Sequence, residues 1–487
     1  MTTDLPYIHR EVEPFYFPVL FLLTLLQVML VGSLFVTQPE EEPSFDGILT
    51  IAAPSLERTT SRITPYGKGF ERELGDMLSS RTGITVQWIE VDDWQQAWTL
   101  FASGRADALV APGYVPHEDQ IEESMRAGPA YFEYPPLILH YKWSLSPNEP
   151  RNLCEAYLSI TDNPALDAVL NARLEELVCP FVPPPVQEET RLIPLLENLE
   201  DNRYRFTLAE GGRFQVLEPF YPGLRKKPVP GRHIPHRWYW NTGDSRMDRI
   251  LSEFWETIPD DPVFENLKER YFGFFPAKAD YYDIEHFYSV LRNQLPQYVP
   301  FIKEAAQSYG IDPLLIVALI YQESRFDPAA KSWTGVRGLA QLTLPTAEEM
   351  EVKDRLDPKS SIMGGARYLR SMWERLDDLP LSPWDRWFVA LSAYNQGMGH
   401  TRDAIRLALK LERNGNRWGE LKTVYPLLSY RKYFSETQHG YCRGYEAVSF
   451  VESIRFYYYV LHGIVALPRP EAKHLAPLLE AVPAVWP

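Results

Sequence analysis

The segment 313–328, PLLIVALIYQESRFDP, decides how the second half of this chain folds. Asp312 precedes Pro313, and a capping residue followed by proline at the first helical position predicts the start of a helix. The apolar run that follows predicts that this helix is buried. Glu323 lies near its end, on the same face as three apolar residues, Ile316, Leu319 and Ile320.

This position has a chemical consequence for Glu323. Removal from water and the negative end of the helix dipole both favour the neutral carboxyl, so we expect a raised pKa. A carboxyl that stays protonated near neutral pH suits a general acid for glycosidic bonds. The alternative is a structural glutamate paired with Arg325 or Arg337, and this segment alone leaves both interpretations open.

The same helix signals recur downstream. Asp357-Pro358 and Ser382-Pro383 repeat the pattern of a capping residue followed by proline, and Gly310 and Gly397 stand where helices should stop. We therefore predict an all-α domain over 285–465, followed by a proline-rich tail over 466–487.

Upstream, strands alternate with helices over 47–275. This alternation predicts an α/β domain of two lobes with a partly parallel sheet and a cleft between the lobes. The predicted strands are 48–51, 84–89, 106–111 and 214–217, and the predicted helices include 69–78 and 94–102.

The N-terminus carries the clearest targeting signal. Residues 15–36 form an uncharged stretch, long enough to cross a bilayer core of about 30 Å. Arg10 precedes this stretch and Glu40, Glu41 and Glu42 follow it, which favours a cytoplasmic segment 1–14 and export of the rest. The alternative is a cleaved signal peptide. We expect a membrane-anchored protein with the chain beyond residue 36 exported from the cytoplasm.

Composition narrows the choice of partners. The formal charge of −16 over 487 residues argues against a nucleic acid, which needs a basic surface. The cysteines at 154, 179 and 442 form no CxxC pair, which argues against a zinc or iron–sulfur site. Cys154 and Cys179 are either a disulfide or two buried thiols, and Cys442 is expected in the core.

Three further segments follow the helix of Glu323 in order: GVRGLAQ at 335–341, AYNQG at 393–397 and GYEAVSFVESIRFYY at 444–458. Together with YQESRFDP they resemble the soluble lytic transglycosylase domain, an all-α, goose-lysozyme-like fold. The glutamate of that family's ES motif is catalytic and corresponds to Glu323. The family's GLMQ motif corresponds to 338–341, with Ala340 in place of Met.

This resemblance implies a peptidoglycan lyase that uses no metal or organic cofactor. Glu323 is the expected catalytic residue, acting on the β-1,4 bond between N-acetylmuramic acid and N-acetylglucosamine. It would protonate the leaving oxygen and then act as a base on the muramyl 6-hydroxyl, giving a 1,6-anhydro product without water. The motifs mark out no second carboxylate, and the nearest, Asp327, stands in an Asp-Pro turn context. The expected substrate-binding residues are Ser324, Gln341, Tyr394, Asn395, Glu452 and Tyr457.

The front domain resembles the periplasmic solute-binding proteins of the amino-acid type, through GKGFERELGDML, the stretch 94–107 and GPAY at 128–131. In such proteins an arginine after the third strand pairs with the ligand carboxylate. Here 116–120 reads PHEDQ, and Arg126 is the nearest candidate. The ligand is therefore a muropeptide or another small molecule, or the domain is a spacer without a ligand.

The order of segments, with an export segment, a solute-binding-like domain and a lytic transglycosylase domain, resembles the membrane-bound lytic murein transglycosylase F family. A hydrolytic muramidase and a non-catalytic wall-binding sensor are the two alternatives. Glycan strands of peptidoglycan are the expected substrate, and ligand binding at the front domain is expected to regulate access to Glu323.

Overall fold

The computed structural model describes residues 47–54, 62–116, 120–144, 158–160, 163, 165–169, 172, 191–231, 233–277, 280–332 and 335–480. Within these ranges, no helix combines the length and the apolar character needed to cross a membrane. The predicted transmembrane segment 15–36 and the cysteines Cys154 and Cys179 lie outside these residues.

The first part of the chain is an α/β structure with two sheets. Its strands are β1 (Ile48–Pro54), β2 (Thr85–Val91), β3 (Ala108–Pro112), β4 (Met125–Ala127), β5 (Phe132–Tyr134), β6 (Pro136–Tyr141), β7 (Leu158–Ile160), β8 (Phe206–Glu210), β9 (Leu224–Pro228) and β10 (Ile234–Asn241). Its helices include α1 (Phe70–Thr82), α2 (Trp94–Ala102), α3 (Leu192–Glu200), α4 (Gly211–Leu217), α5 (Ser245–Thr257) and α6 (Pro262–Phe272).

The chain passes between the two sheets twice. In the first sheet β1 lies between β2 and β3 and is parallel to both, while β10 runs antiparallel to β3, β4 and β5. In the second sheet β6 lies between β8 and β9, antiparallel to each, and β7 is parallel to β8. Because β10 returns to the first sheet after β9, the α/β part has two lobes with a partly parallel sheet, as the alternating pattern predicts.

The strand predicted at 214–217 is wrong. These residues belong to α4, which begins where the Glu210 carboxylate accepts hydrogen bonds from the backbone N–H groups of Gly212 and Arg213, at 2.8 and 2.7 Å. A capping carboxylate at the end of β8 thus starts a helix, and a four-residue apolar run is too short to reveal its period.

The second part of the chain is helical. Its helices are α7 (Tyr281–Asn293), α8 (Leu295–Tyr309), α9 (Pro313–Ser324), α10 (Leu344–Glu349), α11 (Pro358–Glu374), α12 (Pro383–Gln396), α13 (Met398–Lys410), α14 (Trp418–Val424), α15 (Arg431–Phe434), α16 (Gly444–Ala466) and α17 (Ala472–Leu479). The three predicted proline starts are confirmed, since Asp312, Asp357 and Ser382 each accept a hydrogen bond from the first turn of α9, α11 and α12.

Helix α9 is the central helix of this part. All of its residues from Pro313 to Tyr321 are buried, which explains why its sequence is apolar on every side. The long helix α16 packs along it, and α8 and α17 also contact it. Glu323 therefore lies at the C-terminal end of a buried helix.

The two parts share one hydrophobic core. It runs from Tyr66 and Phe220 in the α/β part to Tyr458 and Tyr459 in α16. The Tyr66 hydroxyl donates a hydrogen bond of 2.6 Å to the carbonyl oxygen of Arg455, and the Tyr459 hydroxyl donates one of 2.6 Å to that of Val216. The boundary predicted between 275 and 285 therefore crosses a packed region. Helix α17, inside the predicted tail 466–487, buries Leu475 and Leu478 in the same core.

Candidate active site

Glu323 stands in the last turn of α9, immediately before a sharp change of chain direction. Arg325 and Phe326 both adopt left-handed backbone conformations, with φ of 54° and 64°. Non-glycine residues rarely adopt this conformation, and it is found where surrounding packing enforces it. Asp327 supports the turn, because its carboxylate accepts a hydrogen bond of 2.9 Å from the Ala329 backbone N–H.

The Glu323 side chain lines a cleft of about 690 Å³, a size typical of pockets that bind small organic groups such as sugars. The cleft is formed by α9, the loop before α10, α11, the end of α12 and the start of α16. Its lining includes Glu323, Gln341, Thr343, Thr346, Tyr368, Tyr394, Asn395, His400, Tyr441, Arg443 and Glu446.

Burial of the Glu323 carboxyl raises its pKa from 4.5 to about 8. The cause is desolvation, one of the two effects that the sequence predicts for this carboxyl. Among the described residues, no lysine or arginine forms an ion pair with Glu323. Arg325 instead binds Asp283, with 2.6 Å between Nη1 and Oδ1, and the Tyr457 hydroxyl at 3.0 Å. The structural alternative for Glu323 thus loses its proposed partners, and the raised pKa keeps the carboxyl protonated at neutral pH.

Gln341 is held rigidly at the cleft wall. Its backbone is left-handed, with φ of 46°, and its side-chain amide donates to the carbonyl oxygens of Gly338 at 2.8 Å and Ala330 at 3.1 Å. These bonds occupy the NH₂ group and orient the side-chain carbonyl oxygen as the polar group available to the cleft. A fixed acceptor of this kind suits the N–H of an acetamido group.

The AYN segment lies at the end of α12, where it also borders the cleft. The Tyr394 hydroxyl donates a hydrogen bond of 2.8 Å to the carbonyl oxygen of Ala340, and its ring stacks on Phe450 with centroids 6.2 Å apart. Burial and the nearby Glu323 raise the pKa of Tyr394. This hydroxyl therefore fixes the 338–341 segment, whereas the exposed side chain of Asn395 is open to the cleft.

The other three predicted substrate-binding residues lie elsewhere. The Ser324 hydroxyl is buried and donates to the carbonyl oxygen of Ile320 at 3.2 Å. Glu452 accepts hydrogen bonds from Arg455 and Trp418, and Tyr457 contacts Asp283. Glu452 and Tyr457 line a second cavity, of about 640 Å³, between the α/β part and the helical part.

The sequence interpretation missed a second carboxylate in the cleft, that of Glu446. It forms an ion pair of 2.9 Å with Arg443, and both side chains are exposed. Glu446 and Glu452 both belong to α16. They are six positions apart in the sequence, so their side chains point about 120° apart around the helix. The position of Glu446 in the first turn of α16 is the sequence feature that could have identified it.

A cavity of about 70 Å³ lies between the two lobes of the α/β part, with room for only a few water molecules. Phenylalanine and tyrosine side chains form nearly half of its lining. Glu71 accepts hydrogen bonds from Tyr131 and Trp238, and His236 lies 3.1 Å from Glu210. The buried Arg213 stacks on the Tyr114 ring at 4.4 Å, and its Nε has no hydrogen-bond partner among the described residues. Arg126 is not among the lining residues, and it binds Asp248 and Ser252 on the outside.

Known proteins with similar sequences agree with this site. The family model for the Transglycosylase SLT domain matches residues 300–415, which hold Glu323 and most of the cleft. A membrane-bound lytic murein transglycosylase F of Hahella chejuensis is 32% identical over 411 residues, covering 83% of this chain and 79% of that protein. One of Vibrio cholerae is 31% identical over 459 residues, covering 91% and 85%.

This chain belongs to the membrane-bound lytic murein transglycosylase F family. The predicted family and enzyme class, a lytic transglycosylase, are thereby confirmed. Among solved structures, an ancestral arginine-binding protein bound to arginine aligns with 47% of this family member and 99% of its own chain, at a TM-score of 0.39 and 16% identity.

Proposed function

We propose that this chain cleaves the β-1,4 bond between N-acetylmuramic acid and N-acetylglucosamine in peptidoglycan, with Glu323 as the single acid and base. The observation that carries the proposal is the buried carboxyl of Glu323, protonated at neutral pH, in the wall of a sugar-sized cleft. The names of the relatives, lytic murein transglycosylases, give the substrate class.

The proposed reaction returns Glu323 to its starting state. The protonated carboxyl donates its proton to the glycosidic oxygen, the bond from that oxygen to the muramyl C1 breaks, and N-acetylglucosamine leaves with a free 4-hydroxyl. The muramyl 6-hydroxyl oxygen then bonds to C1 and gives its proton to the Glu323 carboxylate. The product is a 1,6-anhydro sugar, and no water is consumed.

The neighbouring residues would hold the substrate in place. Gln341 offers a fixed carbonyl oxygen to an acetamido N–H, and Asn395 offers an exposed amide to the same cleft. Tyr394 acts on the position of Gln341, because its hydroxyl fixes the carbonyl oxygen of the preceding residue, Ala340.

Product analysis tests this proposal. Purified peptidoglycan is incubated with residues 38–487 or with a Glu323→Gln variant, and the products are identified by mass spectrometry. We expect anhydromuropeptides from the parent and a loss of about 10²-fold or more in the variant, because an amide cannot supply the proton. Asp327→Asn is the matched control, since an amide oxygen still accepts the turn hydrogen bond from Ala329.

Two outcomes would contradict it. New reducing ends that depend on Glu323 would identify a muramidase, and attention would pass to Glu446 as a second carboxylate. Equal product yields from the parent and the Glu323→Gln variant would remove Glu323 from the mechanism.

We also propose that the protein is anchored in the cell envelope by residues 15–36, with the catalytic part in the periplasm. The uncharged length of that segment and the membrane-bound description of the relatives support this placement. The α/β part is proposed to take a small ligand such as a muropeptide. Because its internal cavity is about 70 Å³, the two lobes must open to admit any such ligand.

A further inference from the structure

Three exposed tyrosines lie together beside the active-site cleft. Tyr430, Tyr441 and Tyr445 are 53%, 56% and 60% exposed, and they are among the few large apolar side chains that the described part of the chain leaves open to solvent. We call these three residues the tyrosine platform. An exposed group of aromatic rings on a folded protein is a common sign of a binding surface.

The fold fixes the platform rather than leaving it on a loose loop. A side chain at position 444 would overlap the carbonyl oxygen of Tyr425, so Gly444 lets the start of α16 pack directly against the 3₁₀ helix Tyr425–Ser429. The Cys442 backbone N–H donates to the carbonyl oxygen of Leu428 at 3.1 Å, and this bond holds the adjoining segment in place.

These contacts place Tyr430 beside Tyr445, and Tyr441 lies in the segment between them. The hydroxyl oxygens of Tyr430 and Tyr445 are 3.5 Å apart, and Tyr441 packs edge-on against Phe434 of α15 with centroids 5.7 Å apart. Rings that are held in this way lose little conformational freedom when a ligand binds, which favours affinity.

The platform is continuous with the cleft that contains Glu323. Tyr441 belongs both to the platform and to the lining of the cleft. Arg443 and Glu446, which follow Tyr441 in the sequence, also line the cleft. A chain of sugar rings that leaves the cleft past Tyr441 would meet Tyr430 and Tyr445 next. Pyranose rings carry C–H groups on a flat face, and such groups pack well on the electron-rich face of an aromatic ring.

We propose that the tyrosine platform binds the glycan strand of peptidoglycan beyond the cleavage site, so that long strands bind more tightly than short fragments. This inference rests on the proposed function, since it assumes a glycan in the Glu323 cleft. It adds a specificity determinant for strand length, outside the residues that contact the reacting bond.

Binding to a catalytically inactive protein separates this proposal from the reaction itself. We would place Tyr430→Ala and Tyr445→Ala together in the Glu323→Gln background and measure binding of peptide-free glycan strands, long or short. Each tyrosine should contribute roughly two- to tenfold to long-strand affinity, the range of an exposed aromatic contact. Short fragments that fill only the cleft should bind equally to both proteins.

Two variants complete the test. Tyr282→Ala removes an 83% exposed tyrosine on α7 outside the platform, and it should leave long-strand affinity unchanged. The pair Tyr430→Phe and Tyr445→Phe keeps the rings and should retain most of the affinity, and it also reports on binding if the alanine pair does not fold.

The outcomes are distinct from those of the product analysis. Equal long-strand affinity in the alanine pair and its parent overturns the platform, even where anhydro products establish the lyase. A parent that binds long and short strands equally overturns it as well. Loss of affinity in the alanine pair, with retention in the Phe pair and in Tyr282→Ala, supports it.

Discussion

At the residue scale, the proposed chemistry depends on one carboxyl whose environment keeps it neutral. Glu323 is half-buried, yet its acidic group is removed from water by the apolar end of α9, and its pKa rises to about 8. Arg325, two residues further along the chain, has a left-handed backbone conformation, and its side chain pairs with Asp283. Had Arg325 reached Glu323, its positive charge would have lowered the pKa and stabilised the ionised form instead.

The pH dependence of kcat/KM should report this ionisation. The donor form of Glu323 is the protonated one, so activity should be constant below pH 8 and fall above it, by about tenfold per pH unit well past the pKa. Initial rates of anhydromuropeptide release on both sides of pH 8 would measure it.

Substrate binding by the Glu323→Gln variant is the control for that pH profile, because it should not change across pH 8. A rate that already declines near the ordinary pKa of 4.5 would show that the carboxyl is hydrated in solution.

At the element scale, α11 packs against the cleft segment through a glycine. A Cβ atom at Gly365 would lie 2.5 Å from the Cβ of Ala340. Ala340 cannot retreat, because its N–H donates to the Ser361 hydroxyl at 3.1 Å and its carbonyl oxygen accepts from Tyr394 at 2.8 Å. The small residue that replaces the family's Met at 340 therefore matches a close approach of α11.

Replacing Gly365 by Ala should destabilise the protein and slow cleavage. The overlap with Ala340 costs about 1–3 kcal/mol and outweighs the roughly 1 kcal/mol that alanine gains in a helix. The same displacement should move Gln341 and raise KM. Chemical unfolding and steady-state kinetics would measure both effects.

Ser371→Ala, in the same helix, is the control for this change, because Ser371 is not among the buried residues of α11 and the substitution only removes an atom. An increase in stability for Gly365→Ala would mean that α11 shifts freely and that the close approach has no functional weight.

At the scale of the whole molecule, a buried arginine joins the two parts of the chain. Arg455 of α16 is 1% exposed and binds the Glu269 carboxylate of α6 at 2.6 Å and the Glu452 carboxylate at 3.1 Å. It also donates to the backbone carbonyl oxygens of Glu269 and Arg270 at 3.1 Å each. Glu452, expected to bind substrate, thus stabilises the junction between the α/β and helical parts.

Arg455→Met should lower the free energy of unfolding by up to about 3–5 kcal/mol, because it removes the buried cation shared by two partly buried carboxylates. Lys422, at 2.9 Å from Glu269 and 3.8 Å from Glu452, replaces only part of that charge. Thermal or urea unfolding would measure the loss. Adding Glu269→Gln and Glu452→Gln to the same variant should recover part of it, since the unpaired charges are then removed. A single variant within about 0.5 kcal/mol of the parent would show that water reaches this network.

The sequence by itself determined the helix starts, the alternating α/β pattern and the catalytic candidate. These are local properties: a capping residue before proline, the period of apolar residues, and a glutamate on an apolar helix face each act within a few residues. The strand predicted at 214–217 was wrong for a related reason, because the Glu210 carboxylate caps a helix there and the apolar run is too short to show its period.

Only the tertiary structure decided which polar residues meet. Glu446 faces the Glu323 cleft while Glu452 faces Arg455, although both lie on α16, because the packing of that helix against α9 and α12 sets which side is turned to each neighbour. The ion pair between Arg325 and Asp283 likewise depends on a contact between residues far apart in the chain. The same holds for the single hydrophobic core that the α/β and helical parts share. The spacing of residues in the sequence does not predict such contacts. They form when whole helix and sheet surfaces pack together, and the burial of those surfaces provides the free energy that stabilises them.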